Sequence, residues 1–273
     1  MSVPPRPGPA PAGERTTAPA EPAPHRTFAW RPAVIALAVL VLTAFGFYQW
    51  GAADSPEAAA PAPTPSASAT VPPTTAEIYQ AVAPSVVSVA TTGTDGEASG
   101  TGVVVNADAS ILTAWHVVRD AKSISVTFAD GTKAAATVIA QDPTMDIAML
   151  RPDGLPQVLV PAVLGGGLSV GDEVIAIGDQ LGLTRTTTTG VVSGLQRSAP
   201  GPDGSALKGL IQFDAAVNHG SSGGPLLGAG GAVVGIVVAL VNPTKAGTFI
   251  GVGFAVPIGS ALSAGRGERG PQQ

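Results

Sequence analysis

From Ser85 onward the chain alternates short apolar runs with turn residues, a rhythm that predicts strands of ordinary length. A first series of such runs covers residues 86–90, 102–105, 124–128, 136–140 and 147–150. Turn-forming residues separate them: Thr92-Gly93, Asn106-Ala107-Asp108, Asp130-Gly131 and Asp142-Pro143. A second series covers residues 173–177, 186–192, 210–213, 225–227, 232–240 and 249–256, with Gly-rich linkers between. Helical periodicity is scarce, and only residues 76–83 and 257–264 predict short helices. Two series of about six strands, joined near residues 156–167, predict an all-β domain built as two β-barrels. Any other two-sheet β architecture fits the strand pattern alone.

One stretch departs from that rhythm. Residues 33–48 read AVIALAVLVLTAFGFY, without a charge. With Pro32, Gln49 and Trp50 the run is long enough to cross a hydrocarbon core at 1.5 Å per residue. Trp30 and Trp50 bracket it where interfacial aromatic rings would sit. A cleaved signal peptide is the competing reading, and Gly51-Ala52-Ala53 would serve as a small-residue cleavage site. The long leading segment and the length of the run favour an uncleaved anchor. Arg6, Arg15, Arg26 and Arg31 precede the run, and after it no Lys or Arg appears until Arg119. The positive-inside rule then places the N-terminus in the cytoplasm and the remainder outside, behind a single-pass cell-membrane anchor.

Composition divides the rest. Residues 1–31 are dominated by Pro, Ala and Arg, and residues 51–75 by Ala, Pro, Ser and Thr. Neither holds enough large apolar residues to offset the entropy of ordering, so both read as disordered, the second as a semi-extended spacer. The expected organisation is a disordered segment over 1–31, an anchor helix over 32–50, a linker over 51–75, a folded domain over 76–264 and a tail over 265–273. The net charge is −5 and no Lys/Arg-rich run exists, which gives no support to a nucleic-acid partner. The absence of cysteine removes disulfides, thiolate zinc sites and a cysteine nucleophile.

Three segments carry candidate chemistry. Leu112–Val118 (LTAWHVV) ends an apolar run on His116, read as a strand edge. Residues 142–150 (DPTMDIAML) set Asp146 before a strand-like run. Residues 218–227 (NHGSSGGPLL) hold paired serines among glycines. Each alone has a plainer explanation: a packed histidine, a turn aspartate, a flexible loop. Pro225 and the apolar residues after it argue against a mere linker, because they place the glycines at the entry to a buried strand. Together the three supply what a serine nucleophile needs. A hydroxyl requires a histidine to take its proton, a carboxylate to fix the imidazole tautomer, and donors aimed at the oxyanion. His116 stands out among three histidines, since His25 lies in the N-terminal segment and His219 within the serine loop.

In the order His, Asp, Ser, and in the run Gly220-Ser221-Ser222-Gly223-Gly224-Pro225, the chain resembles the trypsin-like serine proteases of the chymotrypsin-like fold. Finer features are similar to their HtrA/Deg branch of bacterial envelope proteases. Residues 113–118 match T-x-x-H-V-V, residues 142–150 match D-x-x-x-D-[IL]-A-x-L, residues 211–227 (IQFDAAVNHGSSGGPLL) resemble I-Q-T-D-A-A-I-N-x-G-N-S-G-G-P-L, and residues 251–257 (GVGFAVP) resemble G-I-G-F-A-I-P. The resemblance implies two six-stranded antiparallel barrels and a serine endopeptidase without metal or cofactor. It implies His116 as general base, Asp146 as orienting carboxylate and Ser222 as nucleophile, with the amides of Gly220 and Ser222, and Ser221 as a third member, forming the oxyanion hole. It places the specificity pocket at Asp214, Ala215, Ala216 and Val217 and at Val237, Val238 and Ala239, whose small apolar side chains suit small or medium aliphatic residues. The implied substrates are polypeptides, unfolded proteins among them, in envelope quality control or regulated proteolysis. The relatives' trimers imply a homotrimer through Ile78 and Tyr79, against the plainer alternative of a capping helix. Ending at Gln273, the sequence implies a short form without the PDZ module of many relatives. Three departures stand out: Ser221 for Asn, His219 for a frequent Pro, and Asp179-Gln180 for the Asn-Pro of a G-N-P-L-G loop. A catalytically silent scaffold that binds unfolded or partner proteins is the alternative function.

Overall fold

The computed structural model describes residues 38–44, 72–94, 96–201, 204–240 and 250–266. The chain divides into two units, Met1–Ala69 and Thr70–Gln273. In the first, residues 38–44 are helical, and Val39, Leu40, Val41 and Leu42 are exposed. Most of the expected anchor over 32–50, the segment 1–31 and nearly all of the linker lie outside the described residues. No helix among the described residues is long and apolar enough to cross a membrane.

The second unit opens with α1 (Thr75–Val82), close to the predicted 76–83. Thr74 caps it: its hydroxyl accepts from the Glu77 amide at 3.3 Å, and the Glu77 carboxylate accepts from the Thr74 amide at 2.7 Å. That bond from the Thr74 amide holds the exposed Glu77 carboxyl below its usual range. The helix buries Ile78 and Val82 against the chain's own core, and Tyr79 packs partly buried beside them. Ile78 is therefore not exposed for the intersubunit contact expected of it, and the capping-helix alternative describes this segment better.

Among the described residues, twelve strands follow as two closed antiparallel barrels. The first contains β1 (Val86–Gly93), β2 (Gly96–Val104), β3 (Ile111–Ala114), β4 (Ala121–Thr127), β5 (Lys133–Asp142) and β6 (Ile147–Pro152), in the order β1-β2-β3-β6-β5-β4. The second contains β7 (Glu173–Gly178), β8 (Thr186–Pro200), β9 (Ala206–Phe213), β10 (Pro225–Gly228), β11 (Val233–Leu240) and β12 (Gly253–Pro257), in the order β10-β11-β12-β9-β8-β7. Closure leaves no sheet edge unpaired among the described residues. The second series was legible strand by strand, but the first was predicted without β3. Ile111–Ala114 runs into the one-turn helix α2 (Trp115–Val118) with no turn residue between, so periodicity cannot divide the run. His116 accordingly sits on a helical turn after a strand, not on a strand edge.

The core crosses from one barrel to the other. One cluster joins Val103, Leu112 and Leu150 of the first barrel to Ile177, Ile236 and Val256 of the second. A smaller cluster around Phe213, Val217 and Val237 fills the second barrel alone. The C-terminal helix α3 (Ile258–Gly265), predicted at 257–264, packs on β3, β5 and β6 and also on β11 and β12. Its buried residues Ile258, Ala261 and Ala264 thereby tie the two barrels together.

Candidate active site

The three candidate residues come from both barrels. His116 and Asp146 belong to the first, on α2 and on the turn before β6; Ser222 belongs to the second, on the loop before β10. Helix α2 begins at Ala114, which provides no side-chain cap. Asp146 does that work from across the sheet. Its backbone carbonyl accepts from the Trp115 amide at 2.9 Å, and its Oδ1 accepts from the His116 amide at 2.8 Å. Its Oδ2 lies 2.6 Å from His116 Nδ1. One carboxylate thus satisfies an otherwise orphaned helix donor and fixes the imidazole, leaving Nε2 facing outward. Asp146 is 3% exposed, so the pair interacts in a largely dehydrated setting.

The turn that delivers Asp146 is built locally. Asp142 Oδ1 accepts from the Thr144 amide at 2.9 Å and from its hydroxyl at 2.6 Å. Asp146 then adopts φ 55°, a left-handed conformation that aspartate tolerates better than most residues. It is both the turn residue of the plainer reading and the partner of His116.

The serine loop is anchored on both sides. Within it, the Ser221 amide donates to Asn218 O at 2.9 Å and the Gly224 amide to Ser221 O at 2.9 Å. Behind it, the Gly223 amide donates to Val237 O at 2.7 Å. In front, the Thr101 amide of β2 donates to Ser222 O at 2.8 Å, and the Thr101 hydroxyl to Gly220 O at 2.6 Å. The loop therefore presses against the first barrel. A Cβ on Gly100 would lie 2.8 Å from Val117 Cγ2 and 2.9 Å from Ser222 O, and a Cβ on Gly223 would lie 2.8 Å from the Ala114 amide nitrogen. Ser222 and the turn bearing His116 so converge on one junction, although no hydrogen bond joins their side chains among the described residues. Such bonds commonly close only around substrate.

The two serines differ sharply. Ser221 is 2% exposed and its hydroxyl accepts from the Asn218 amide at 3.2 Å, whereas Ser222 is only half-buried. The Ser221 amide is already bonded to Asn218 O, which removes it as an oxyanion donor in this conformation. The amides of Gly220 and Ser222 have no protein acceptor among the described residues. Gly220 reaches its position with φ 95°, and a Cβ there would overlap Asp179 O at 2.1 Å. Its preceding carbonyl, on His219, accepts from the Leu181 amide at 2.9 Å. In a trans peptide the N–H points opposite to the carbonyl, so the Gly220 N–H faces away from that loop.

Four of the seven expected pocket residues are buried. Ala215, Val217 and Val237 belong to the second barrel's core cluster, and Val238 is buried in the larger one. The side chain of Ala239 lies outside the described set. Asp214 is exposed, and its Oδ1 accepts from the Val191 amide of β8 at 2.6 Å. The carbonyl of half-buried Ala216 accepts from Thr188 Oγ1 at 2.7 Å and from Gln180 Nε2 at 2.9 Å. Thr101 and Thr188 went unnoticed in the sequence, and Gln180 stood out there only as part of a departure from the family's loop. For Thr101 the flanking Gly100 and Gly102 were the one available sign, since both permit close backbone approach.

Two barrels meeting around a histidine, an aspartate and a serine define the class of the chymotrypsin-like fold. A family model for the trypsin-like peptidase domain matches residues 100–236, half of the chain, and the chain belongs to that family. Its relatives are HtrA/Deg-type proteases. It is 42% identical over 165 residues to Protease Do-like 1, chloroplastic, of Arabidopsis thaliana, covering 59% of this chain and 37% of that protein. It is 39% identical over 165 residues to the periplasmic pH-dependent serine endoprotease DegQ of Escherichia coli (strain K12), covering 59% of this chain and 35% of that one. Among solved structures, the HtrA-type protease AlgW with tripeptide matches with a TM-score of 0.64 and 35% identity, over 70% of this chain and 62% of that one. The chain thus spans well under half the length of these two curated relatives.

Gly223 tests how the loop is held. It has φ 86°, and a Cβ would lie 2.1 Å from Thr101 O and 2.3 Å from Thr113 Oγ1. Gly223→Ala is expected to destabilise the domain by at least about 1–3 kcal/mol, the typical cost of a strained backbone residue. Gly230→Ala, where nothing lies within 4 Å, should leave the thermal midpoint nearly unchanged. Equal midpoints in a melting comparison would refute this account of the loop.

Proposed function

We propose that the chain is a serine endopeptidase that hydrolyses peptide bonds through an acyl-enzyme. The observation that carries the reading is the Asp146–His116 bond of 2.6 Å, at the junction where the Ser222 loop meets the first barrel. In this mechanism His116 Nε2 takes the Ser222 proton as Oγ attacks the carbonyl carbon. Asp146 keeps the Nδ1 proton in place and stabilises the imidazolium. The unclaimed amides of Gly220 and Ser222 receive the developing oxyanion. His116 then protonates the leaving amine, and water, deprotonated by the same imidazole, hydrolyses the ester. A fluorophosphonate probe should label the wild-type chain and fail on Ser222→Ala, while Asp146→Asn should lower turnover on the order of 10⁴-fold by allowing the wrong tautomer. An unlabelled wild type would favour the silent scaffold.

Specificity follows from what the pocket region leaves available. The Asp214 carboxylate is bonded to the β8 backbone, and the Ala216 carbonyl already accepts from both Thr188 and Gln180. Both lone pairs of the Ala216 carbonyl are thereby occupied, and the neighbouring side chains are small and apolar. The expected preference is for small or medium aliphatic residues before the cleaved bond. Cleavage of a mixed peptide library would show it, and a preference for Lys or Arg would refute it.

The curated relative DegQ is named as periplasmic. For this chain the apolar run over 32–50 and the arginines before it support a single-pass anchor, with the peptidase held outside the cytoplasm by the Pro-rich spacer. Unfolded envelope polypeptides are the substrates that location would supply. Protease added to intact spheroplasts should degrade an epitope after residue 266 and spare one at the N-terminus. The opposite pattern would reverse the topology.

A further inference from the structure

The loop after β7 carries a residue that the mechanism above does not use. Gln180 is 5% exposed, and its amide bridges two points of the segment leading into the serine loop. Nε2 donates to Ala216 O at 2.9 Å, and Oε1 accepts from Asn218 Nδ2 at 3.2 Å. The orientation of the amide is forced, because a carbonyl can only accept. On either side of Gln180 the backbone adds further ties. The Leu181 amide donates to His219 O at 2.9 Å, and the Asp179 amide donates at 2.9 Å to the same Thr101 hydroxyl that holds Gly220 O.

We propose that Gln180 is a positioning residue for the oxyanion hole: its amide clasps residues 216 and 218 so that the His219–Gly220 peptide stays with its carbonyl on Leu181 and its N–H toward the reacting carbonyl. The inference rests on the peptidase reading and deepens it. The physical reason lies in the freedom of the peptide itself. Gly220, with φ 95°, has no side chain to resist rotation, so the orientation of its N–H depends on partners of the flanking atoms. One of those partners, the Leu181 amide, sits on a loop whose residue Leu181 has φ 54° and is 70% exposed. The loop's internal bonds, from the Gly182 amide to Asp179 O at 3.2 Å, the Leu183 amide to Gln180 O at 2.8 Å and the Arg185 amide to Asp179 Oδ1 at 2.8 Å, shape it without tying it to residues 216–218. The buried Gln180 side chain supplies the missing tether, with both ends of its amide engaged. A proline at this position, as in the motif the loop otherwise resembles, could not make either bond.

The test compares the full chain with Gln180→Met, which keeps the length and loses both bonds, and with Gln180→Glu. An ionised Glu keeps an acceptor for Asn218 but turns an oxygen toward the Ala216 carbonyl, and being nearly isosteric it guards against a folding failure in the first variant. Gln180→Met is expected to retain the wild-type thermal midpoint within a few degrees, and Gln180→Glu to melt lower but still cooperatively, because it buries an unpaired charge. Both should lower the fluorophosphonate labelling rate and kcat by about tenfold or more, because a displaced oxyanion donor weakens transition-state binding, with KM for a peptide little changed. A wild type that is labelled alongside variants labelled equally fast would overturn the role of Gln180 and leave the peptidase reading intact. A rise in KM with unchanged kcat would also overturn it, by assigning Gln180 to substrate binding. A wild type that is not labelled at all would remove the peptidase reading first, and this role with it.

Discussion

Thr101 is the point on which the arrangement depends. Every polar atom it has is engaged, and it is fully buried. Its amide holds Ser222 O, its hydroxyl holds Gly220 O while accepting from the Asp179 amide, and its carbonyl accepts from the Thr113 hydroxyl at 2.7 Å. A single residue of the first barrel so sets the distance to two loops of the second. Buried networks of this kind are firm only when each member is satisfied, and here each is. Because the bonds lie in the interior of the interface, water does not compete for them as it does at the surface.

Asp146 shows the same economy on the other side of the junction. A one-turn helix is too short to be stable by itself, and α2 persists because Asp146 accepts from its first amides. Orientation of the imidazole and formation of the helix that carries it are consequently one event. A change at Asp146 would therefore act on the imidazole and on the turn that carries it together.

What could be read in advance was what short-range pattern encodes. The strands of the second barrel, the two end helices and the turn before Asp146 all follow from apolar spacing and turn residues. The strand β3 was hidden because Ile111 to Val118 offers no polar break between strand and helix. The roles of Thr101 and Gln180 were hidden for a different reason. Thr101 meets partners 78 and 119 residues away, and Gln180 meets Ala216 across 36. Apart from the glycines flanking Thr101, nothing in a local window marks such a pairing, since a buried polar residue and a solvated one are spelled alike. The two serines were separable only by register, and the hydrogen bond that turns Ser221 inward became visible with the fold.

The helix α3 has a consequence for the order in which the molecule comes into being. It follows all twelve described strands in the sequence, yet it packs on β3, β5 and β6 of the first barrel. Contacts between such distant parts form late, after the entropy of closing a long loop has been met. His116 and Asp146 stand in the first barrel and Ser222 in the second, so the first barrel by itself holds a histidine and a carboxylate with no serine to activate. Division of the site between two barrels thus couples its assembly to completion of the fold.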